Sequence, residues 1–287
     1  MSIEPTFENV SYGPFERNVL DFWKAESRGP APVVVFIHGG GFRGGDKTKI
    51  RQTPDVIRRC LASGVSFAAI NYRFRGQAPL PEILRDTARA IQFLRYKAAE
   101  WNIDKGRIAA YGGSAGAGSS LWIGFHDDLA DPTSEDPVLR ESSRLTVVGA
   151  NATQATYDFS RWPEILGFGF ELQNVDPNFA TLVTQLYGLK SREEIDSPKG
   201  RAIRRDLDML GHMDPRDPPV YLSSGMPNTR PEHRGHIVHH PRHAIAIKKK
   251  CDELGIEAAI VLRETPPGER VAMLDFFFKH LQVKVRT

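Results

Sequence analysis

The sequence predicts an α/β protein, with a mostly parallel central sheet covered by helices on both faces. Three observations carry this. "PVVVFIH" (Pro32 to His38) is an unbroken apolar run, which suits a strand buried on both sides. Strand-like runs alternate with segments of helical period along most of the chain. Glycine-rich stretches stand where a strand hands over to the next segment, at residues 39–41 and 112–116.

The elements follow in order. "FENVSY" and "NVLDFW" alternate like two short strands around the turn "GPFER". After the Pro32–His38 strand, a helix is expected near Pro54 to Ser63, then the strand "VSFAAINY". Pro81 to Trp101 reads as one long helix, with Leu84, Thr87, Ala88, Ile91, Leu94 and Ala98 on one stripe. "RIAAYGG" is a strand, Ser114 to His126 a helix and "LTVVGA" a strand. From about 151 to 216 the alternation stops, and aromatic and charged residues mix in what reads as a small helical insertion above the sheet. "PPVYLSSG", Pro241 to Leu254, "IEAAIVLRE" and Val271 to Leu281 then give strand, helix, strand and helix. The closing helix carries Val271, Leu274, Phe278 and Leu281 as its apolar stripe. The expectation is a single domain over residues 1–287, with the insertion at about 151–216.

Composition narrows the function. The chain has 287 residues, 40% of them hydrophobic, enough for a sizeable core. Lys+Arg number 38 against 35 Asp+Glu, a net charge of +3, so neither nucleic acid nor an anionic membrane is expected as partner. The apolar runs are too short to span a bilayer, and "MSIEPTFENV" lacks the pattern of a signal peptide. With only Cys60 and Cys251, a disulfide framework is not expected and a reducing cytoplasm is.

Two motifs carry chemistry. Gly112-Gly113-Ser114-Ala115-Gly116 is a G-x-S-x-G between a strand and a helix. A sharp turn there lifts the serine hydroxyl off the sheet edge, and the flanking glycines are needed because a Cβ would strike the neighbouring strand and helix. "HGGGF" (His38 to Phe42) directly follows the first buried strand. Its glycines let backbone N–H groups approach a ligand, and with the N–H of Ala115 they would form an oxyanion hole. His38 precedes the serine and belongs to the glycine motif, so it reads as a loop-orienting residue.

These residues, with "FIHGGGFRGGDK", "INYRF", "DTARAIQFLRYKAAEWNIDKGRIAAYGGSAG" and "DPPVYLSSG", resemble an α/β hydrolase of the carboxylesterase and hormone-sensitive-lipase-like branch. The resemblance implies the α/β-hydrolase fold and cleavage of small-molecule carboxylic esters, without a metal or organic cofactor. It implies Ser114 as nucleophile and Gly40, Gly41 and Ala115 as oxyanion donors.

The same resemblance expects an acid after the penultimate strand and a histidine after the last. In the first loop the acid register falls on Asn228 or near His236, and Glu232 is its one carboxylate. In the second, "ETPPGERVAM", the histidine register falls near Glu269 or Arg270, and neither is a histidine. The triad therefore reads as degenerate. The alternatives are an esterase with an unusual base and a catalytically inactive binding or scaffold protein. His233, His236, His239, His240 and His243 are five of the nine histidines, and one of them swinging in from the acid loop is the available rescue. His236/His240 and His239/His243 are spaced i, i+4, but Pro241 interrupts the helix a metal pair would need. Trp162, Phe168 and Phe170 read equally as acyl-pocket walls or as the insertion's own core.

Overall fold

The computed structural model describes residues 3–169 and 177–283. Eight strands form one sheet in the order β1-β2-β4-β3-β5-β6-β7-β8. They are β1 (Phe7–Ser11), β2 (Val19–Trp23), β3 (Ala31–Ile37), β4 (Ser66–Ile70), β5 (Ile103–Gly113), β6 (Val147–Asn151), β7 (Val220–Ser224) and β8 (Ala258–Leu262). β2 runs antiparallel to both β1 and β4; the other pairs are parallel.

The double burial expected of β3 is visible in its side chains. Val33 and Val35 join a core with the helices Leu80–Tyr96, Ala115–Phe125 and Pro241–Leu254. Val34, one residue out of phase, joins the opposite core with the helices Pro54–Ala62 and Met273–His280. A strand sends alternate side chains to opposite faces, so a strand covered twice must be apolar throughout.

Two expected boundaries move. The helix read as Pro81 to Trp101 ends at Tyr96, and a separate turn spans Ala98–Trp101. The Trp101 ring lies 4.7 Å from Phe22 and 5.8 Å from Phe93, so the chain bends to seat the indole in the core. The closing helix begins at Met273, and Val271 lies outside it, 44% exposed, so it is no part of the apolar stripe. Leu274, Phe276, Phe277, Phe278 and Leu281 are the buried residues there.

Strand order fixes where a ligand sits. From β3 the chain moves to one neighbour, β4, then crosses back to the other, β5. Open α/β sheets bind ligands at the carboxyl ends of strands where the order reverses in this way. Ile37 is in register with Gly112, so the segments following β3 and β5 emerge side by side.

Candidate active site

The turn after β5 is sterically exacting. Ser114 has φ 55° and ψ −117°, a conformation that non-glycine residues rarely adopt. Its N–H donates to the Asn151 carbonyl at 2.9 Å and its carbonyl accepts from Gly118 N–H at 3.0 Å, so β6 and the following helix hold the strain. A Cβ on Gly112 would meet the Gly116 carbonyl carbon at 2.5 Å, and one on Gly116 would meet the Ile37 carbonyl carbon at 2.7 Å. The G-x-S-x-G spacing thus has the steric cause expected of it.

The glycine loop lies against this turn. A Cβ on Gly39 would meet the Gly113 carbonyl oxygen at 2.5 Å and the Ser114 Cβ at 3.6 Å. Gly40 (φ 125°) and Gly41 (φ 59°) use backbone angles that favour glycine. The N–H groups of Gly40, Gly41 and Ala115 have no hydrogen-bond acceptor among the described residues. His38 sits beneath the loop, fully buried and stacked on Tyr72 at 4.3 Å between ring centroids. Its Nδ1 faces the Gly39 carbonyl at 2.8 Å, which makes that nitrogen the N–H donor. Burial pushes its pKa down to about 4.

His239 faces the serine. Its Nε2 is 2.8 Å from the Ser114 Oγ. It follows the short helix Arg234–Val238, in the loop after β7 rather than after β8. The His239 backbone N–H donates to the Gly235 carbonyl at 3.2 Å. In the tautomer with the proton on Nδ1, Nε2 accepts from the serine hydroxyl. Desolvation lowers the His239 pKa from its ordinary value, and the nearby Gly235 backbone opposes this in part. Among the described residues no carboxylate backs the imidazole.

The other four histidines hold this loop in place. His236 Nε2 donates to the Pro227 carbonyl at 2.8 Å, and His240 Nε2 to that of Thr229 at 2.9 Å. His243 Nε2 donates to the Ile237 carbonyl at 3.1 Å while its Nδ1 accepts from the Ala155 N–H at 3.3 Å. His233 Nδ1 accepts from the His236 N–H at 3.2 Å, capping the short helix. Two further bonds reach the Val238–His239 backbone itself. Ser224 Oγ donates to the His239 carbonyl at 3.2 Å, and Gln154 Nε2 to that of Val238 at 2.8 Å.

The registers expected for acid and base lie elsewhere. Asn228 Oδ1 accepts from Arg242 Nε at 3.3 Å, and His236 is engaged with Pro227. Glu269 is exposed in a single turn of 3-10 helix, and Glu232 is exposed as well. His280 lies 3.5 Å from Glu257, away from Ser114. Among the described residues no group of three or more His, Cys, Asp or Glu side chains is placed to hold a metal ion. Cys60 and Cys251 are buried and unpaired.

Ser114 opens onto three concavities. One, of about 70 Å³, is apolar and lined by Tyr157, Phe159, Trp162, Phe179, Leu182 and Leu186, among others. A second, of about 500 Å³, is bordered by Gly40, Gly41, His239, Arg43, Arg75 and Arg234. A third runs past Lys49, Tyr111 and Met273. Trp162 therefore lines the apolar concavity, while Phe168 lies under the Arg242 guanidinium at 3.8 Å. Phe170 is outside the described residues.

A model of the BD-FAE family matches residues 20–163, a stretch holding both the glycine loop and Ser114. This chain belongs to the BD-FAE family. Its carboxylesterase lineage, read from "HGGGF" and "GGSAG", agrees with its relatives. "Probable carboxylic ester hydrolase LipM" of Mycobacterium tuberculosis (strain ATCC 25618 / H37Rv) is 31% identical over 160 residues, covering 53% of this chain and 35% of LipM. "Esterase LipQ" of the same strain is 30% identical, covering 53% of this chain and 36% of LipQ. The chain thus spans about a third of the length of these curated relatives. Among solved structures, a truncated carbohydrate esterase from gut microbiota superposes with a TM-score of 0.69 at 21% identity, covering 96% of each chain. Esterase B from Lactobacillus rhamnosis superposes with a TM-score of 0.65 at 16% identity, covering 98% of this chain and 89% of that one. These establish the α/β-hydrolase fold for the BD-FAE chain. His239 lies beyond the stretch that the family model covers.

Proposed function

We propose that the chain hydrolyses carboxylic esters by serine acyl transfer. Ser114 is the nucleophile, His239 the general base, and the N–H groups of Gly40, Gly41 and Ala115 receive the oxyanion. The 2.8 Å approach of His239 Nε2 to Ser114 Oγ carries this reading. A serine hydroxyl attacks an ester poorly unless a base takes its proton. His239 takes it as Oγ bonds to the carbonyl carbon, and the imidazolium returns it to the departing alkoxide. Water then repeats the sequence against the acyl-enzyme, with His239 again as base. The three unpartnered N–H groups match the negative charge that develops on the carbonyl oxygen.

The dyad has a cost in rate. Where a triad aspartate is removed, turnover drops on the order of 10⁴-fold, because the imidazolium loses its compensating charge and its fixed tautomer. Here, among the described residues, no carboxylate supplies either. The proposal is therefore a slow esterase, with the small apolar concavity favouring a short uncharged group. The segment 151–216 serves as a cap in a single hydrolase domain, since Phe159, Trp162, Phe179, Leu182 and Leu186 from it wall that concavity. The buried, unpaired cysteines support a reducing, cytoplasmic setting. No helix among the described residues is long and apolar enough to cross a membrane.

The uncompensated imidazole also favours a second reading, a binding protein that keeps the pocket without turnover. Hydrolysis of para-nitrophenyl acetate and butyrate separates the two. Turnover by the native chain that disappears in Ser114→Ala and in His239→Ala supports the esterase. Equal and negligible rates in all three, with no labelling of Ser114 by a fluorophosphonate, support the binding protein.

A further inference from the structure

The concavity shared by Ser114 and His239 is bordered by three guanidinium groups, those of Arg43, Arg75 and Arg234. Lys49 borders the adjoining one. No carboxylate among the described residues lines either cavity. The chain as a whole is nearly balanced, with 38 basic and 35 acidic residues, so this excess is local. Several arginines elsewhere in the fold are paired, Arg73 with Asp86, Arg85 with Asp206, Arg161 with Asp208 and Arg204 with Asp158, and others such as Arg95 and Arg242 bond to backbone carbonyls. Arg43 and Arg75 make no ion pair among the described residues.

The fold fixes the two side by side. Arg75 N–H donates to the Phe42 carbonyl at 2.7 Å, tying the segment after β4 to the glycine loop that bears Arg43. Burial, then the like charges of Arg43 and Arg234, lower the Arg75 pKa from its ordinary value. Gathering like charges costs free energy in the empty site, and an anion placed among them recovers it. A guanidinium fork matches a carboxylate in geometry as well as charge. The other cavity at Ser114 holds only about 70 Å³; Arg234 borders it too, but Arg43 and Arg75 do not, and its remaining walls are mainly aromatic and aliphatic.

We propose that the substrate is an ester carrying a carboxylate on one side of the scissile bond, held by Arg43 and Arg75, with a small uncharged group on the other. This rests on the esterase reading above and names its substrate class. The carboxylate belongs either to the acyl part or to the alcohol part, and the test has an arm for each.

The acyl arm compares mono-para-nitrophenyl glutarate with para-nitrophenyl pentanoate. The alcohol arm compares meta-acetoxybenzoate with meta-acetoxybenzamide. In one arm, kcat/KM is expected to favour the anionic ester by about tenfold or more at low ionic strength. That preference shrinks in half-molar salt. The Arg43→Ala/Arg75→Ala double variant brings the ratio close to one, and Arg75→Lys restores part of it. Ratios at or below one in both arms of the native chain overturn the proposal. So does a preference that survives the double variant.

A binding measurement keeps the proposal separable from the esterase reading. Ser114→Ala protein is titrated calorimetrically with monoethyl glutarate and with meta-acetoxybenzoate. Saturable, salt-weakened binding of either, lost with the two arginines, supports the anion site even if no ester is turned over. Absence of binding in both titrations overturns it, whatever the activity on neutral esters.

Discussion

Ser224 Oγ donates to the backbone carbonyl of His239 at 3.2 Å, so the last residue of β7 fixes the carbonyl of the residue whose ring meets Ser114. The same β7 end reaches toward Ser114 through β6. Ser223 Oγ donates to Asn151 Oδ1 at 2.6 Å, and the Asn151 carbonyl accepts the Ser114 N–H. Ser114 and His239 thus hang from adjacent strand ends.

The first prediction follows from that anchorage. Ser224→Ala removes the bond that fixes the His239 carbonyl, and Gln154→Ala the bond that fixes that of Val238. Each is expected to lower kcat on a para-nitrophenyl ester by roughly tenfold, with KM nearly unchanged, because misplacement by an ångström costs up to about a hundredfold. Thermal midpoints should shift by only a few degrees, as for loss of one hydrogen bond. An undiminished kcat in both variants would show that the loop holds His239 by other means.

The pH profile tests the base. Desolvation holds the His239 pKa below the ordinary imidazole value. A general base works when deprotonated, so activity persists above that pKa and is lost as pH falls through it. The acid limb of kcat/KM on a neutral ester is therefore expected below about 6.5, the unperturbed imidazole value. His239→Ala should abolish the limb together with turnover. An acid limb at or above that value would point to another group or to a carboxylate partner.

How much was legible in the sequence depended on the range of the constraint. The turn at Ser114 and the glycine loop are set by contacts between backbone atoms, such as Gly116 against Ile37, which only glycine permits at those positions. Such constraints print residue types at fixed spacing. His239 has no such print. Five histidines lie within eleven residues, and which one faces Ser114 depends on four of them bonding to Pro227, Thr229, Ile237, Ala155 and the short helix. The cluster was visible as a reserve of bases; the member facing Ser114 is set by tertiary structure. The break at Lys97 was hidden for a related reason. The helical stripe continues to Ala98, but the destination of Trp101 against Phe22 overrides it.

Gly116→Ala tests the steric argument with an unusual sign. In an ordinary helix this change stabilises by roughly 1 kcal/mol. Here the new Cβ meets the Ile37 carbonyl carbon at 2.7 Å and the His38 carbonyl oxygen at 2.8 Å, and both are backbone. Overpacking of this kind costs about 1–3 kcal/mol. The thermal midpoint should fall by several degrees, and esterase activity by more than the stability loss explains, because the glycine loop is pushed from Ser114. A variant as stable and as active as the native chain would remove the case for close packing at the turn.

Acid stability is the last prediction, and its sign comes from two buried histidines. Burial depresses the pKa of His38 to about 4 and that of His243 to about 3. In the unfolded chain both take up a proton near 6.5. Between that value and the depressed ones the unfolded state binds more protons, so stability present at neutral pH is lost as pH falls. Asp217 acts oppositely: burial raises its pKa from 3.8 to about 6, so across that window protonation favours the folded chain. Two imidazoles outweigh one carboxyl, and the urea midpoint is expected to drop steadily from pH 6.5 to pH 4.5. His243→Gln, whatever it does to stability at pH 7.5, should flatten that slope, because an amide does not titrate. An unchanged slope in this variant would show that the acid sensitivity arises elsewhere.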